Sequence, residues 1–175
     1  MSLVLQSSGG GSITIAEPAT ASNFTQNLPS ASGTVMVSGN MPAFSAYQSS
    51  ATSLSSGAFT KVLFGTEEFD TNNNFASSTF TPTVAGYYQV NGAVNIDTIT
   101  GQFIAAIYKN GSRYKDGVWL NVVAQQTKSL VSSVVYCNGT TDYLEIYAFN
   151  SGSTANTVNP AVQGSYFNAV LVRSA

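Results

Sequence analysis

Between Tyr88 and Asp97 the chain alternates, with Tyr88, Val90, Val94 and Ile96 set against Gln89, Asn91, Asn95 and Asp97. A period of two is the mark of a half-buried strand. Phe103–Tyr108 is apolar on both faces, which predicts a central strand. Asn110-Gly111 follows at once, a pair whose tolerance of positive φ suits a tight hairpin turn. Leu130–Cys137, Asn138-Gly139 and Tyr143–Phe149 then read as a second hairpin, and 165–172 as a closing apolar strand. No helical period competes from Met41 onward. Roughly eight to ten strands divided by frequent turns predict an all-β sandwich or jelly roll.

Ahead of that pattern, residues 1–41 read as an arm. A Gly-rich stretch at 9–11 precedes short β-prone pieces, Ser12–Ile15, Asn23–Thr25 and Thr34–Val37, separated by Pro18, Pro29 and Gly33. Each piece is too short for an independent sheet, so the arm is expected to order against its oligomer mates or another protein. Its apolar residues Ile13, Ile15, Phe24, Val35 and Val37 are the candidate anchors. The start has no basic residue and only a three-residue apolar run, so no leader is expected there.

Composition narrows the function. Charged residues make up only 8% of the 175, so solubility rests on 24 Ser, 18 Thr and 15 Asn. With 43% apolar residues the chain can still bury a core that offsets its ordering entropy. A net charge of −2 and six scattered Lys/Arg leave no phosphate-binding footprint, which argues against nucleic acid. No stretch is long and apolar enough to span a bilayer. With no His and one Cys, structural zinc and a base-activated nucleophile lose their usual residues. Cys137, in an apolar run, is expected to be a buried small hydrophobe. No enzyme activity is expected.

The spacing Phe64…Asp70…Phe75…Phe80…Gly86-Tyr-Tyr88 resembles the signature of the globular complement-type (C1q-like) domain, related to tumour necrosis factor ligands. Pro42–Tyr47 is similar to that family's opening strand, Asn138-Gly139-Thr-Thr-Asp142-Tyr-Leu144 to its penultimate turn, and Phe167–Leu171 to its closing strand. The Phe75–Phe80 gap is shorter than usual there, and Val90 and Gly92 stand where aromatics are common. The resemblance covers 42–175 and implies a ten-strand jelly-roll β-sandwich that assembles as a homotrimer. It also brings calcium near the trimer axis into view, with no ligands that the sequence assigns. Residues 13–39 resemble a segment of bacteriophage structural proteins that precedes C-terminal modules of tail fibres and capsid-decorating proteins.

Three groups of residues are candidates for function. Tyr143, Tyr147 and Phe149 share one face of their strand while Leu144, Ile146 and Ala148 share the other, so the aromatic face is expected to line the subunit interface. Tyr114 and Trp119 flank the Asp116-Gly117 turn, with Arg113 and Lys115 adjacent. They could stack on a sugar or a protein partner, or Trp119 could simply cover the sheet edge. Asn73, in the run Asn72–Asn74, is a loop tip suited to recognition. Glu67, Glu68 and Asp70 are expected in a solvated loop, not in a calcium site or a carboxylate pair.

These readings predict a non-enzymatic virion protein of bacteriophage type: a homotrimer that binds other virion proteins, capsid or tail, through residues 1–41. A capsid decoration or cement protein is the first expectation. A fibre tip that recognises a host surface glycan or protein is the alternative.

Overall fold

A computed structural model describes residues 3–16, 19, 25, 30 and 35–175. It divides the chain into two compact units, Met1–Gly33 and Thr34–Ala175. Phe24 lies outside the described residues.

The first unit contains β1 (Leu3–Gln6) and β2 (Ser12–Ile15), an antiparallel pair with Leu5 opposite Ile13 and Gln6 opposite Ser12. Gly10, at φ 86°, permits the turn, and its amide donates to the Ser7 carbonyl at 3.0 Å. The piece Ser12–Ile15, expected to be too short for an independent sheet, therefore pairs with Leu3–Gln6, which was not expected as a strand. The signal for β1 was only three apolar residues, and it becomes a strand because β2 supplies its ladder.

The second unit opens with a 3₁₀ turn at Ser38–Asn40, capped by the Asn40 side chain, which accepts from the Val37 amide at 2.8 Å. Val35 and Val37 precede it without strand structure, against the expectation of a β-prone piece. Then come β3 (Ala43–Tyr47), β4 (Thr52–Leu54), β5 (Phe59–Lys61), β6 (Thr66–Asp70), β7 (Phe75–Ala76) and β8 (Thr79–Phe80). They are followed by β9 (Gly86–Lys109), β10 (Ser112–Asp116), β11 (Leu120–Cys137), β12 (Leu144–Asn150), β13 (Asn156–Val158) and β14 (Tyr166–Ser174). Two sheets share β9. The first runs β6-β3-β14, then the first half of β9, then the second half of β11. The second sets β12 on one side of the latter half of β9, with β10 and the start of β11 on the other; β5 and β8 pair with β12.

This is a jelly-roll sandwich. Ten strands are expected and twelve segments are found in this assembly, because β9 and β11 run through while the margins break into short pieces. The alternation in 88–97 is borne out: Tyr88, Val90, Val94 and Ile96 are fully buried. Phe103–Ile107 is central, and Asn110 (φ 54°) and Gly111 (φ 75°) make the β9–β10 turn.

The predicted second hairpin is not formed. β11 pairs with β9 in the first sheet and β12 pairs with β9 in the second, so residues 138–143 cross between sheets. Sheets pack about 10 Å apart, a gap six residues span easily and a two-residue turn would not. Asn138 holds the crossing by accepting from the amides of Thr140, Thr141 and Asp142 at 2.9–3.0 Å.

The aromatic signature is the core. Phe44 stacks on Phe75 and Phe80 with ring centres 4.7 and 4.5 Å apart and meets Phe167 edge-on at 4.8 Å. The buried Tyr88 hydroxyl donates to the Val84 carbonyl at 2.7 Å. Asp70 accepts from the amides of Phe75 at 2.7 Å and Asn72 at 3.3 Å, closing the β6–β7 turn. A Cβ on Gly86 would stand 2.4 Å from the Arg173 carbonyl, so only glycine fits there. Cys137 is buried, which pushes its thiol up to about 11.

Candidate interaction surfaces

The outward face of the first sheet can be read row by row from its register. One row runs Phe69–Ser45–Asn168–Asn91–Ser132, the next Ala43–Val170–Gln89–Val134, and a third Tyr47–Tyr166–Ala93–Leu130. Tyr87 and Tyr136 end the face as a tilted pair 5.4 Å apart. Phe69, Tyr87, Leu130, Val134, Tyr136 and Val170 are all exposed, Val134 by 53%. A shallow depression lined by Ala43, Ser45, Phe69, Asn168 and Val170 lies at its β6 side.

Between the apolar rows runs a ladder of neutral groups. Gln89 Nε2 donates to Ser132 Oγ at 2.9 Å, Ser132 Oγ to Asn91 Oδ1 at 2.7 Å, and Asn91 Nδ2 to Asn168 Oδ1 at 2.9 Å. Charge is kept to the margins. Glu68 accepts from Ser45 Oγ at 2.7 Å beside the β6 edge, and Lys128 sits at the far end over the Tyr166 ring, 5.8 Å from its centre. Glu67, Glu68 and Asp70 lie on the β6 edge strand, not in a loop. Charge on an edge strand discourages further strand pairing. Among the described residues, no group of three or more acidic, Cys or His side chains is placed to hold a metal.

The outward face of the second sheet is of another kind. Tyr147 stacks on Tyr108 at 3.8 Å, and Phe149 packs on Phe59 at 5.3 Å and on Trp119 at 5.9 Å. Arg113 lies over the Phe59 ring at 4.5 Å and 5.6 Å from the centre of Trp119. The interface expectation for Tyr143, Tyr147 and Phe149 rested on an uncovered aromatic face. The structure leaves each of these half-buried, with Tyr147 and Phe149 packed on rings from their own chain. Tyr143 sits at the Asn110-Gly111 turn, its amide donating to Asn110 Oδ1 at 2.9 Å. Glu145, buried among them, is paired with Lys61 at 2.6 Å, and Thr79 donates to the same oxygen at 3.1 Å. Partial burial and then the Glu145 charge raise the Tyr147 hydroxyl above its usual range.

Trp119 and Phe149, assigned different roles by sequence, are thus neighbours. Trp119 and Tyr114 are exposed by 45% and 44%. Asn73 is exposed at the β6–β7 turn in a left-handed conformation, φ 55°. Ile13 and Ile15 are exposed on β2, and Val35 and Val37 are exposed in the second unit. Sequence reasoning missed Phe59 and the first-sheet face. The signal for the latter was present, since Leu130–Cys137 is apolar on both strand faces and only one can enter the core.

No family model matches the chain, and no curated protein matches it. Solved structures do. Murine APRIL at pH 5.0 superposes with a TM-score of 0.61 at 11% identity, over 75% of this chain and 99% of that one. The globular domain of zebrafish complement 1qA gives 0.59 at 16% identity, covering 77% and 98%. The PRD1 vertex protein P5 gives 0.53 at 14% identity, covering 76% and 96%. At these identities the likeness establishes the fold.

Proposed function

We propose that this chain is a non-enzymatic virion structural protein of bacteriophage type: a homotrimer, held to the particle by its N-terminal arm, that decorates and clamps the capsid. The observation that carries the reading is the outward face of the first sheet. It combines exposed Leu, Val, Phe and Tyr with hydrogen-bonded neutral amides, and its charges stand at the margins. Apolar, charge-depleted faces of this kind are what obligate interfaces bury, commonly ~2,000–5,000 Å² in total. Self-association is therefore assigned to this face rather than to Tyr143, Tyr147 and Phe149.

The arm supports the second half of the reading. On the β1–β2 hairpin Leu5, Ile13 and Ile15 lie on one exposed face. A two-stranded ribbon is marginal by itself and gains stability when such a face is covered. Three arms on one trimer would bind as linked contacts, which can raise apparent affinity ~10²–10⁴-fold. The likeness to a vertex protein of PRD1 agrees with a place on a particle.

The test is the full chain with Ile13→Asp and Ile15→Asp, mixed with particles lacking the protein. The trimer should remain intact while particle binding falls at least about a hundredfold. Undiminished particle binding by the trimeric variant would refute the anchoring role.

A further inference from the structure

We propose that Trp119, Arg113 and Asp116 form a binding site for a neutral saccharide on the second sheet. This stands apart from the arm and the first-sheet face, and it holds whether or not they act as proposed.

The three side chains are held in a fixed arrangement. Asp116 Oδ1 accepts from Arg113 Nε at 2.6 Å, and its Oδ2 accepts from Arg113 Nη2 and, at 3.4 Å, from Trp119 Nε1. Arg113 rests on the Phe59 ring, and Trp119 is backed by Phe149. Nevertheless the arginine and aspartate side chains stay 40% and 36% exposed. The pair does not exhaust its hydrogen-bonding capacity: a guanidinium has five N–H donors and a carboxylate about four acceptor sites. The guanidinium hydrogen bond keeps the Asp116 carboxyl below its usual range, so it stays an acceptor at neutral pH. What faces solvent is a donor and an acceptor side by side, with the guanidinium 5.6 Å from the centre of the partly exposed Trp119 ring.

That combination selects a ligand. Two adjacent hydroxyls of a pyranose can answer it, one accepting from the guanidinium and the other donating to the carboxylate, while the C–H face of the sugar lies on Trp119. An anion is disfavoured because Asp116 already neutralises Arg113. A protein partner is disfavoured on area, since Trp119 is the exposed ring of a cluster whose other rings are half-buried, and stable interfaces need about 800 Å² per partner. Strand addition at β10 is opposed by Arg113, Lys115 and Asp116 along it. Holding donor, acceptor and ring in place before binding removes part of the ordering cost.

The experiment presents the full-length protein to an array of neutral and acidic oligosaccharides, alongside Trp119→Ala, Trp119→Phe and Asp116→Asn. Wild type should retain neutral glycans bearing vicinal hydroxyls. Trp119→Ala and Asp116→Asn should each weaken that binding about tenfold, with Trp119→Phe keeping most of it. Trp119 is the one tryptophan in the chain, so its fluorescence should shift saturably when wild type is titrated with the free oligosaccharide of the strongest spot. Capture of no neutral glycan by wild type would overturn the proposal, as would capture of acidic glycans alone. So would undiminished binding by Asp116→Asn, which retains the tryptophan and keeps the test valid should Trp119→Ala fail to fold.

Discussion

The two sheets of the sandwich both carry aromatic and aliphatic side chains on outward positions, yet the first leaves more of them exposed. On the second sheet, Tyr147 and Phe149 are packed against Tyr108, Phe59 and Trp119 beside them, and Glu145 is matched by Lys61. On the first, Leu130, Val134 and Val170 remain open beside a ladder of Asn, Gln and Ser whose members hydrogen-bond one another. An apolar residue on the outside of a strand therefore says little by itself. What matters is how closely its neighbours pack against it, and on the second sheet Phe59 and Trp119 pack against Phe149 and Tyr108 against Tyr147.

Both sheets depend on the core they share. Phe44→Ala removes a fully buried ring stacked on Phe75 and Phe80. It should cost about 3–5 kcal/mol. Trp119 fluorescence and loss of the oligomer should then shift to lower urea together. Separate transitions would mean that the sheets do not unfold as one unit.

A smaller change should act on the second sheet alone. Lys61→Ala leaves the Glu145 carboxylate, 10% exposed, without its cation, which should cost about 1–3 kcal/mol in a urea titration. The mass of the assembly should not change. A drop in mass would show that Tyr147 and its neighbours contact another subunit after all.

The smallest effect concerns the crossing between the sheets. Partial burial alone would raise the Asp142 carboxyl, but hydrogen bonds from Asn110, Lys109 and the Asn138 amide hold it below its usual range. A carboxyl depressed on folding contributes stability that is complete above its unfolded pKa, about 3.9, and is lost as pH falls through the folded value. Asp142→Asn should therefore narrow the gap between urea midpoints at pH 7 and pH 3. An unchanged gap would remove Asp142 from the acid sensitivity of the fold.

Much of the fold was legible because it is local. Alternation placed Tyr88–Ile96, the Asn110-Gly111 pair placed a turn, and the spacing of Phe64, Phe75, Phe80 and Tyr88 placed the core. Pairing was less legible. The period of 130–137 and 143–149 is the same whether those strands face each other or lie in opposite sheets, and the difference rests on hydrogen bonds made by Asn138 in the crossing. The surfaces were the least legible, because cover comes from distant segments. Phe59 reaches Phe149 from ninety positions earlier, and no local pattern announces that meeting.

In the proposed trimer, copies of this chain meet through the first sheet and not the second. Sedimentation equilibrium of the full chain and of Val134→Glu at micromolar concentration tests it most directly. The wild type should run at three times the 18.3 kDa chain mass, and Val134→Glu, which replaces an exposed apolar side chain on that face with a charge, at 18.3 kDa. A monomeric wild type, or a Val134→Glu variant that stays trimeric, would rule out the first sheet as the meeting face.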